Sequence, residues 1–304
     1  MATPGQWVAG ARVKTLPAAV VPVAVGAAVA KFSGTDLDGW QFAVRSVLAL
    51  IVSLALQVGV NYANDYSDGI RGTDEHRVGP IRLVGQALAA PSSVKKAAFV
   101  SFAIASLAGL VLVLLTQAWW LIVVGLVAIL AAWFYTGGSK PYGYSGLGEV
   151  MVFVFFGPVA VVGTTFVLTQ AFRPLSLILS VAVGLFACAL LVVNNLRDIP
   201  TDMESDKLTL AVRLGDPKTR TLYGWCVVLP FGIVGVVGLA GLGFVDFLPA
   251  GAIFGLIPIP LAVVPWRRVA QGDRGPALVQ VLVETGRVQL VFGLLLALGV
   301  ALSR

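Results

Sequence analysis

The chain alternates between long apolar runs and short polar connections. The runs are uninterrupted and about 17–22 residues long, which is the length that an α-helix needs to cross the hydrocarbon core of a bilayer. Strands of a membrane β-barrel would instead alternate apolar and polar residues. The pattern predicts an all-α, polytopic membrane protein with nine spanning helices, at about 16–32, 42–63, 95–115, 118–136, 149–169, 175–196, 220–240, 247–266 and 288–303.

Prolines predict irregular helices in two of these spans. Pro17 and Pro22 predict a kink near the start of the first span, because proline removes a backbone hydrogen bond and clashes with the preceding turn. A broken helix is predicted in the eighth span, since membrane helices tolerate such breaks. Its prolines are Pro249, Pro258, Pro260 and Pro265. No small-residue cleavage site is clear after Arg12 and Lys14, so the first span is expected to be retained.

Composition excludes an ordinary soluble domain. Of the 304 residues, 58% are hydrophobic and 12% are charged, and the mean hydropathy is +0.92. Soluble chains are about half apolar and roughly 25% charged. Cys188 and Cys226 lie in apolar runs without a CxxC spacing and are expected in the core. His76 is the only histidine, which argues against a histidine-based metal site or catalytic triad.

The basic residues predict an orientation. With the N-terminus in the cytoplasm, the inside segments hold 17 of the 21 lysines and arginines. Positive charge concentrates on the cytoplasmic side of membrane proteins, so we expect this orientation in the cell membrane. The net charge of +6 then reflects loop asymmetry, and the expected environment is the lipid bilayer, not nucleic acid. The long connections after the second and sixth spans lie in the cytoplasm, and long polar loops on one face usually carry function.

An acidic cluster ends the second predicted span, within 61–74. Asn61, Asp65 and Asp68 are spaced i, i+4 and i+7, which places them on one face of a helix. Carboxylates near hydrocarbon are costly, and by default they mark ion or substrate sites. The cluster is therefore a predicted functional site.

A second acidic cluster ends the sixth predicted span, within 194–207. Asp198, Asp202 and Asp206 are spaced i, i+4 and i+8 and share a face if the helix continues past Pro200. Asn194 lies one turn before Asp198 and extends that face. The recurrence four spans later suggests an internal pseudo-repeat, of about 16–136 and 149–266, within a single membrane-embedded domain of residues 1–304.

Two acidic faces would bring four or more carboxylates to a common point, where they would repel each other unless a cation neutralised them. Oxygen ligands without histidine or cysteine select Mg²⁺ or Ca²⁺ over zinc. Because Mg²⁺ usually binds through a few carboxylates and substrate phosphates, the clusters indicate a phosphate-bearing substrate.

Basic residues interleaved with the clusters supply the charged donors that phosphate needs. They are Arg71, Arg77, Arg82, Lys140, Arg197, Lys207 and Arg213. A diphosphate site in a membrane protein implies an amphiphilic substrate with its tail in lipid, and polyprenyl diphosphates fit that description. An allylic carbocation formed from one would need a dry, aromatic-lined pocket. Candidates for the lining are Tyr62, Tyr66, Trp133, Phe134, Tyr135, Tyr142 and Tyr144.

A cation-coupled transporter is the alternative from another class. Such a protein would hold acidic residues at the middle of its spans, whereas these clusters lie at the inner helix ends. Isolated acids such as Asp216, Asp273 and Glu284 are interpreted as solvated loop residues.

The sequence resembles the UbiA superfamily of membrane prenyltransferases, and within it the branch that prenylates 1,4-dihydroxy-2-naphthoate in menaquinone synthesis. The resemblance rests on the stretches 11–26, 61–74 with 77–82, 195–207 with 209–213, and 284–290. In the general superfamily motif an acid stands four positions after Asp68, where this chain has Gly72, and the acid comes at Asp74 instead. That displacement is itself like the naphthoate branch, and Asp74 is not among the predicted ligands.

The resemblance implies nine helices around a central cavity, with cytoplasmic caps over the active site. It implies transfer of a polyprenyl group from polyprenyl diphosphate to 1,4-dihydroxy-2-naphthoate with loss of carboxylate, giving demethylmenaquinone. A sibling enzyme with another aromatic acceptor is the alternative. The predicted Mg²⁺ ligands are Asn61, Asp65, Asp68, Asp198, Asp202 and Asp206. The four predicted catalytic residues are Asp65, Asp68, Asp198 and Asp202. The predicted substrate contacts are Arg71, Arg77, Arg82, Tyr135, Lys140, Tyr142 and Lys207.

Overall fold

The computed structural model describes residues 2–72, 81–243 and 248–303, and within these ranges it is helical with no β-strand. Three 3-10 segments (Val13–Thr15, Tyr142–Ser145 and Ala250–Leu256) and a π-helical turn (Phe155–Val159) connect some of the helices. The helices are α1 (Pro4–Gly10), α2 (Pro17–Ser33), α3 (Gly39–Ile70), α4 (Pro91–Thr116), α5 (Leu121–Phe134), α6 (Gly148–Val154), α7 (Ala160–Thr169), α8 (Pro174–Glu204), α9 (Leu210–Gly241), α10 (Ile259–Ala270) and α11 (Pro276–Leu302).

Six of the described helices are long and apolar enough to cross a membrane, and up to eight spans result if each of two bent helix pairs counts as one. The shorter apolar helix α5 has 14 residues. Each predicted span overlaps one of these elements, so the protein is a multi-pass, all-α membrane protein, while the count of nine spans stays a prediction. The six long spans are Gly39–Ile70, Pro91–Thr116, Gly148–Thr169, Pro174–Glu204, Leu210–Gly241 and Pro276–Leu302.

Both helix irregularities that the prolines predicted are confirmed. The chain bends by 52° between Pro4–Thr15 and Pro17–Ser33, and by 42° between Ala250–Leu256 and Ile259–Ala270. The first bend turns the N-terminal segment back over the end of α3, where the Tyr62 hydroxyl donates to the Trp7 carbonyl at 2.9 Å.

Two helices run further than their apolar sequence predicted. α3 continues to Ile70 and α8 continues through Pro200 to Glu204, so both polar clusters lie on the last turns of helices. Asp206 lies beyond the end of α8 in the left-handed conformation, with φ 54°, and is exposed. The expectation that Asp206 extends the acidic helix face is therefore wrong, because a left-handed residue ends the helix.

The core lies where α2, α8, α9 and α11 pack together. Phe186, Tyr223 and Phe292 are its largest fully buried side chains. Cys188 and Cys226 are buried free thiols, as expected. In contrast, α4, α5 and α9 carry many exposed large apolar side chains, as helices that face lipid do. The packed core thus supports α8, which carries the second polar cluster.

Candidate functional site

A cavity of about 590 Å³ runs between the helices and has a polar and an apolar end. Along α3 its lining extends from Asp68 to Ala49, a distance of about 28 Å at 1.5 Å per residue. Asp68, Asp202 and Lys207 lie at the polar end. Mostly apolar side chains line the rest, with the polar Ser53 and Gln57 of α3 among them. The cavity therefore combines a charged head with a long apolar chamber.

Asp68 is the centre of the polar end. Its carboxylate accepts a hydrogen bond from the Tyr144 hydroxyl, and it lies 3.7 Å from Arg82 Nη2 and 3.6 Å from Lys207 Nζ. The Lys207 ammonium also lies 4.8 Å from the centre of the Tyr144 ring. Asp68, Arg82 and Lys207 are all buried. The two buried cations can donate charge-assisted hydrogen bonds to an anionic ligand.

Asp65 faces away from the cavity. Its two carboxylate oxygens accept the backbone N–H groups of Leu83 at 2.7 Å and Val84 at 3.1 Å. Since each residue turns a helix by about 100°, Asp65 is rotated about 60° from Asp68 and meets the following segment of chain instead. The prediction that Asn61, Asp65 and Asp68 all face the site is therefore wrong for Asp65. Its carboxylate instead holds in place the segment that carries Arg82.

The cavity face of α3 holds two amides, of which the sequence predicted Asn61 but not Asn64. Asn64 lies one turn from Asp68 and accepts a hydrogen bond from the Thr136 hydroxyl at 2.8 Å. Asn61 lines the cavity two turns from Asp68, and its amide donates to the Ala11 carbonyl at 2.9 Å. Residues four positions apart on a helix lie closer in angle than residues three positions apart. Asn64, four positions before Asp68, could therefore have been recognised as its neighbour on the cavity face in preference to Asp65.

The second cluster is also divided. Asp198 is bound by Arg197 through two contacts, from Nε at 2.7 Å and from Nη2 at 2.8 Å. Asn194 lines the cavity and lies 3.5 Å from the same carboxylate. Asp202 lines the cavity too, 3.5 Å from the Thr209 hydroxyl. Asp202 is therefore the aspartate of this cluster that lines the chamber, while Asp198 is neutralised beside it.

The four-carboxylate cluster predicted from the sequence is not observed in the described ranges, where no three His, Cys, Asp or Glu side chains come together as a metal site. The acids are instead paired with Arg82, Lys207 and Arg197. The cavity wall nevertheless carries side-chain oxygens of Asn64, Asp68 and Asp202. Such a set fits a hard divalent cation, because it contains no thiolate or imidazole.

The remaining predicted substrate contacts are divided between cavity and surface. Tyr135 and Tyr142 line the cavity, and the Tyr142 hydroxyl donates to the Ala131 carbonyl at 2.7 Å. Arg71 is exposed and donates to the carbonyls of Thr136 and Gly138, so it anchors the turn after α5. Lys140 is exposed and outside the cavity lining. Arg77, like Asp74, lies outside the described residues.

The predicted aromatic lining is only partly confirmed. Tyr135, Tyr142 and Tyr144 line the cavity. Burial raises the pKa of Tyr142, so this phenol stays neutral. The other predicted members do not line the cavity. They pack in a smaller hydrophobic cluster between α3 and α4 or lie on the protein surface. They are Tyr62, Tyr66, Trp133 and Phe134.

One buried acid was missed altogether. Glu149 lies at the start of α6 and accepts a hydrogen bond from the Asn195 amide at 3.0 Å. Asn195 in turn lines the cavity, one turn deeper than Asp198. Nothing in the sequence distinguishes Glu149 from a charged residue at a membrane boundary, so pairing with α8 was not predictable.

The protein is an all-helical membrane protein, and its buried cluster of cations and a carboxylate opens into a long apolar chamber. These features define the class of membrane-embedded prenyltransferases. A model of the UbiA prenyltransferase family matches residues 19–280, and the chain belongs to this family. The protein is thus an aromatic prenyltransferase, as the sequence predicted.

Relatives with curated names cover almost the whole chain. The protein is 52% identical to the 1,4-dihydroxy-2-naphthoate octaprenyltransferase of Mycobacterium tuberculosis, over 98% of this chain and 97% of the relative. It is 34% identical to the Escherichia coli protein of the same name, over 98% and 96%. A UbiA homologue from Archaeoglobus fulgidus, solved with GPP and Mg²⁺, has the same fold, with a TM-score of 0.64 and 13% identity over 97% of this chain and 99% of that one.

Proposed function

We propose that the protein transfers a polyprenyl group from a polyprenyl diphosphate to 1,4-dihydroxy-2-naphthoate, with release of diphosphate and CO₂, and so makes demethylmenaquinone. The structural observation that carries the proposal is the buried cluster of Asp68, Arg82, Lys207 and Tyr144 at the head of an apolar chamber. The choice of acceptor is supported by the relatives, which are named for that reaction.

Arg82 and Lys207 bind the diphosphate oxygens in this proposal. Both cations are buried, and each already contacts a carboxylate, so they are held in position before substrate arrives. Charge-assisted contacts in a buried site stabilise the charge that develops on a leaving diphosphate. The prenyl tail lies in the apolar chamber, where the lining excludes water from the reacting carbon.

Asn64, Asp68 and Asp202 would hold a divalent cation, which we take to be Mg²⁺. A bound Mg²⁺ supplies neutralising charge to the departing diphosphate. Asn61 is left out of this set because it lies two turns, about 10 Å, from Asp68, and its amide already anchors the N-terminal segment. Asp65 is assigned a positioning role because its carboxylate is bound by the backbone of Leu83 and Val84.

The bond changes balance without an added base. A ring carbon of the acceptor bonds to the prenyl carbon C1 while the C1–oxygen bond to diphosphate breaks. If the attacked carbon bears the carboxylate, loss of CO₂ returns an electron pair to the ring and restores aromaticity. The neutral phenol of Tyr142 fits this scheme, since no proton acceptor is required of it.

The proposal includes a membrane arrangement. Nine spans form a single domain of residues 1–304, with the N-terminus and the polar end of the cavity on the cytoplasmic side of the cell membrane. The supporting observations are the apolar helix α5 and the two bent helix pairs, which add to the six long spans, and the basic residues of the loops on one side.

A transfer assay with a panel of acceptors tests the function. Purified protein in detergent receives geranylgeranyl diphosphate, Mg²⁺ and one acceptor at a time, and products are identified by mass spectrometry. We expect prenylated, decarboxylated product from 1,4-dihydroxy-2-naphthoate at a rate well above that from 4-hydroxybenzoate. A preference for another acceptor, or no transfer to any, would overturn the assignment.

A further inference from the structure

We propose that the side-chain carbonyl of Gln57 binds the aromatic acceptor by accepting a hydrogen bond from its ring hydroxyl. Gln57 lies on the cavity face of α3, eleven residues before Asp68, and lines the chamber. The inference rests on the proposed function for the identity of the acceptor, and it adds the residue that orients the ring.

A local network fixes which end of the Gln57 amide is left without a partner. The Thr15 hydroxyl donates to the Arg12 carbonyl at 2.9 Å, so its oxygen is left to accept. Gln57 Nε2 donates to that oxygen at 3.1 Å, and Asn61 Nδ2 donates to it at 3.3 Å. Gln57 must therefore present nitrogen to Thr15, which leaves its carbonyl oxygen as the free end.

This carbonyl oxygen is buried and has no partner among the described residues, although Gln57 is only 8% exposed. A buried acceptor without a partner is costly, and native proteins rarely keep one without a reason. Because the side chain lines the cavity, a ligand in the chamber can supply the missing donor. The donor must carry an N–H or O–H, since a carboxylate would be repelled by the carbonyl dipole.

The position along α3 suits an acceptor lying behind the diphosphate. Eleven residues of helix separate Gln57 from Asp68 by about 16 Å. A near-attack contact of about 3–3.5 Å and a hydrogen bond of about 2.7 Å occupy about 6 Å of this interval. The remaining interval of about 10 Å is left for the diphosphate and the aromatic ring.

The chemistry of the acceptor selects one hydroxyl. In 1,4-dihydroxy-2-naphthoate the 1-hydroxyl is next to the carboxylate and donates to it internally. The 4-hydroxyl is the donor that remains. A hydrogen bond from it to Gln57 turns the carboxyl-bearing carbon towards the prenyl C1, and no proton is transferred.

The test combines a protein change with a substrate change. Gln57→Met keeps the length of the side chain and removes the acceptor oxygen, and 1-hydroxy-2-naphthoate lacks the 4-hydroxyl but keeps the activating 1-hydroxyl. In the native protein we expect kcat/KM to fall by at least tenfold when the 4-hydroxyl is removed, because a site built for a hydroxyl rejects the analogue that lacks it. In Gln57→Met that ratio should fall to within about threefold of unity, with the KM for geranylgeranyl diphosphate unchanged.

Ser53→Ala is the matched control, since Ser53 lines the same face one turn deeper and its hydroxyl is used by the Ala19 carbonyl at 2.8 Å. It should keep the native ratio. Binding of geranylgeranyl diphosphate, measured on each preparation, shows that the variants are folded. If Gln57→Met does not fold, Thr15→Val, which frees the Gln57 amide, should reduce the ratio instead.

The two proposals fail in different ways. Absence of transfer to 1,4-dihydroxy-2-naphthoate by the native protein would refute the function. Efficient transfer with a ratio that Gln57→Met leaves unchanged would refute the role of Gln57 alone.

Discussion

Replacing Asp65 by asparagine tests whether this residue positions the segment that carries Arg82 or belongs to the metal site. Asp65 is buried, and its carboxylate accepts the N–H groups of Leu83 and Val84. Asparagine keeps one acceptor oxygen but turns an NH₂ group towards the second N–H, so one hydrogen bond is lost and two donors face each other. Loss of a hydrogen bond to a charged group costs about 1.5–3 kcal/mol.

The expected effect is on substrate binding. A cost of about 2 kcal/mol raises the undocked population of the segment 81–89 by roughly 30-fold. Arg82 lies in that segment, 3.7 Å from Asp68, so undocking removes a predicted diphosphate contact. The KM for geranylgeranyl diphosphate should rise in Asp65→Asn by the factor by which the docked fraction falls, up to about 30-fold, while kcat at saturation stays within a few fold.

Steady-state kinetics and hydrogen exchange together check this reasoning. Amide exchange of the segment 81–89 should speed up in Asp65→Asn and should slow again when the prenyl diphosphate is saturating. Asp68→Asn is the comparison, because it removes the carboxylate on the cavity wall and should lower kcat. If Asp65→Asn lost kcat as severely as Asp68→Asn, with exchange of the segment unchanged, Asp65 would belong to the metal site and the positioning role would be wrong.

Three further predictions follow from the same contacts. Tyr144→Phe removes the hydroxyl that donates to Asp68. We expect kcat/KM for the prenyl diphosphate to fall about tenfold, because one charge-assisted hydrogen bond is lost, while the melting temperature stays nearly unchanged. An unaltered kcat/KM would contradict this expectation. Lys207→Met removes a buried cation 3.6 Å from Asp68, so the KM for the prenyl diphosphate should rise at least tenfold, whereas Lys140→Met, at an exposed lysine outside the cavity, should leave it within threefold. The raised pKa of Tyr142 keeps its phenol neutral past the ordinary value of about 10, so its stabilising contribution is full below about pH 10 and is lost as the pH rises further. A pH–rate profile should therefore show no ionisation between pH 6 and 9 that Tyr142→Phe removes.

The fold was largely predictable because membrane helices must satisfy their own backbone hydrogen bonds. Long apolar runs therefore mark the spans directly, and the prolines marked both bends. The helix ends were less predictable. α3 and α8 continue into polar sequence, to Ile70 and Glu204, where hydropathy no longer marks the helix.

The site was predictable in its residue types more than in its pairings. The sequence identified Asp68, Asp202, Arg82 and Lys207, which do meet at one end of the cavity or line it. It also predicted a cluster of mutually close carboxylates, which the described residues do not form. Buried acids in a low-dielectric interior need compensation, and neighbouring cations supply it here.

Asp65 and Asp68 show that helical spacing alone does not predict which residue of a cluster meets the ligand. Residues at i, i+4 and i+7 do share one side of a helix, but that side is about 60° wide. Sixty degrees is enough to direct one carboxylate into the chamber and the other towards the backbone of Leu83 and Val84. Which of two neighbours meets a ligand depends on the segment that packs beside the helix, and that segment is separated from Asp65 by 18 residues of sequence. An acidic motif therefore predicts a site, while the roles of its members follow from the tertiary packing around each one.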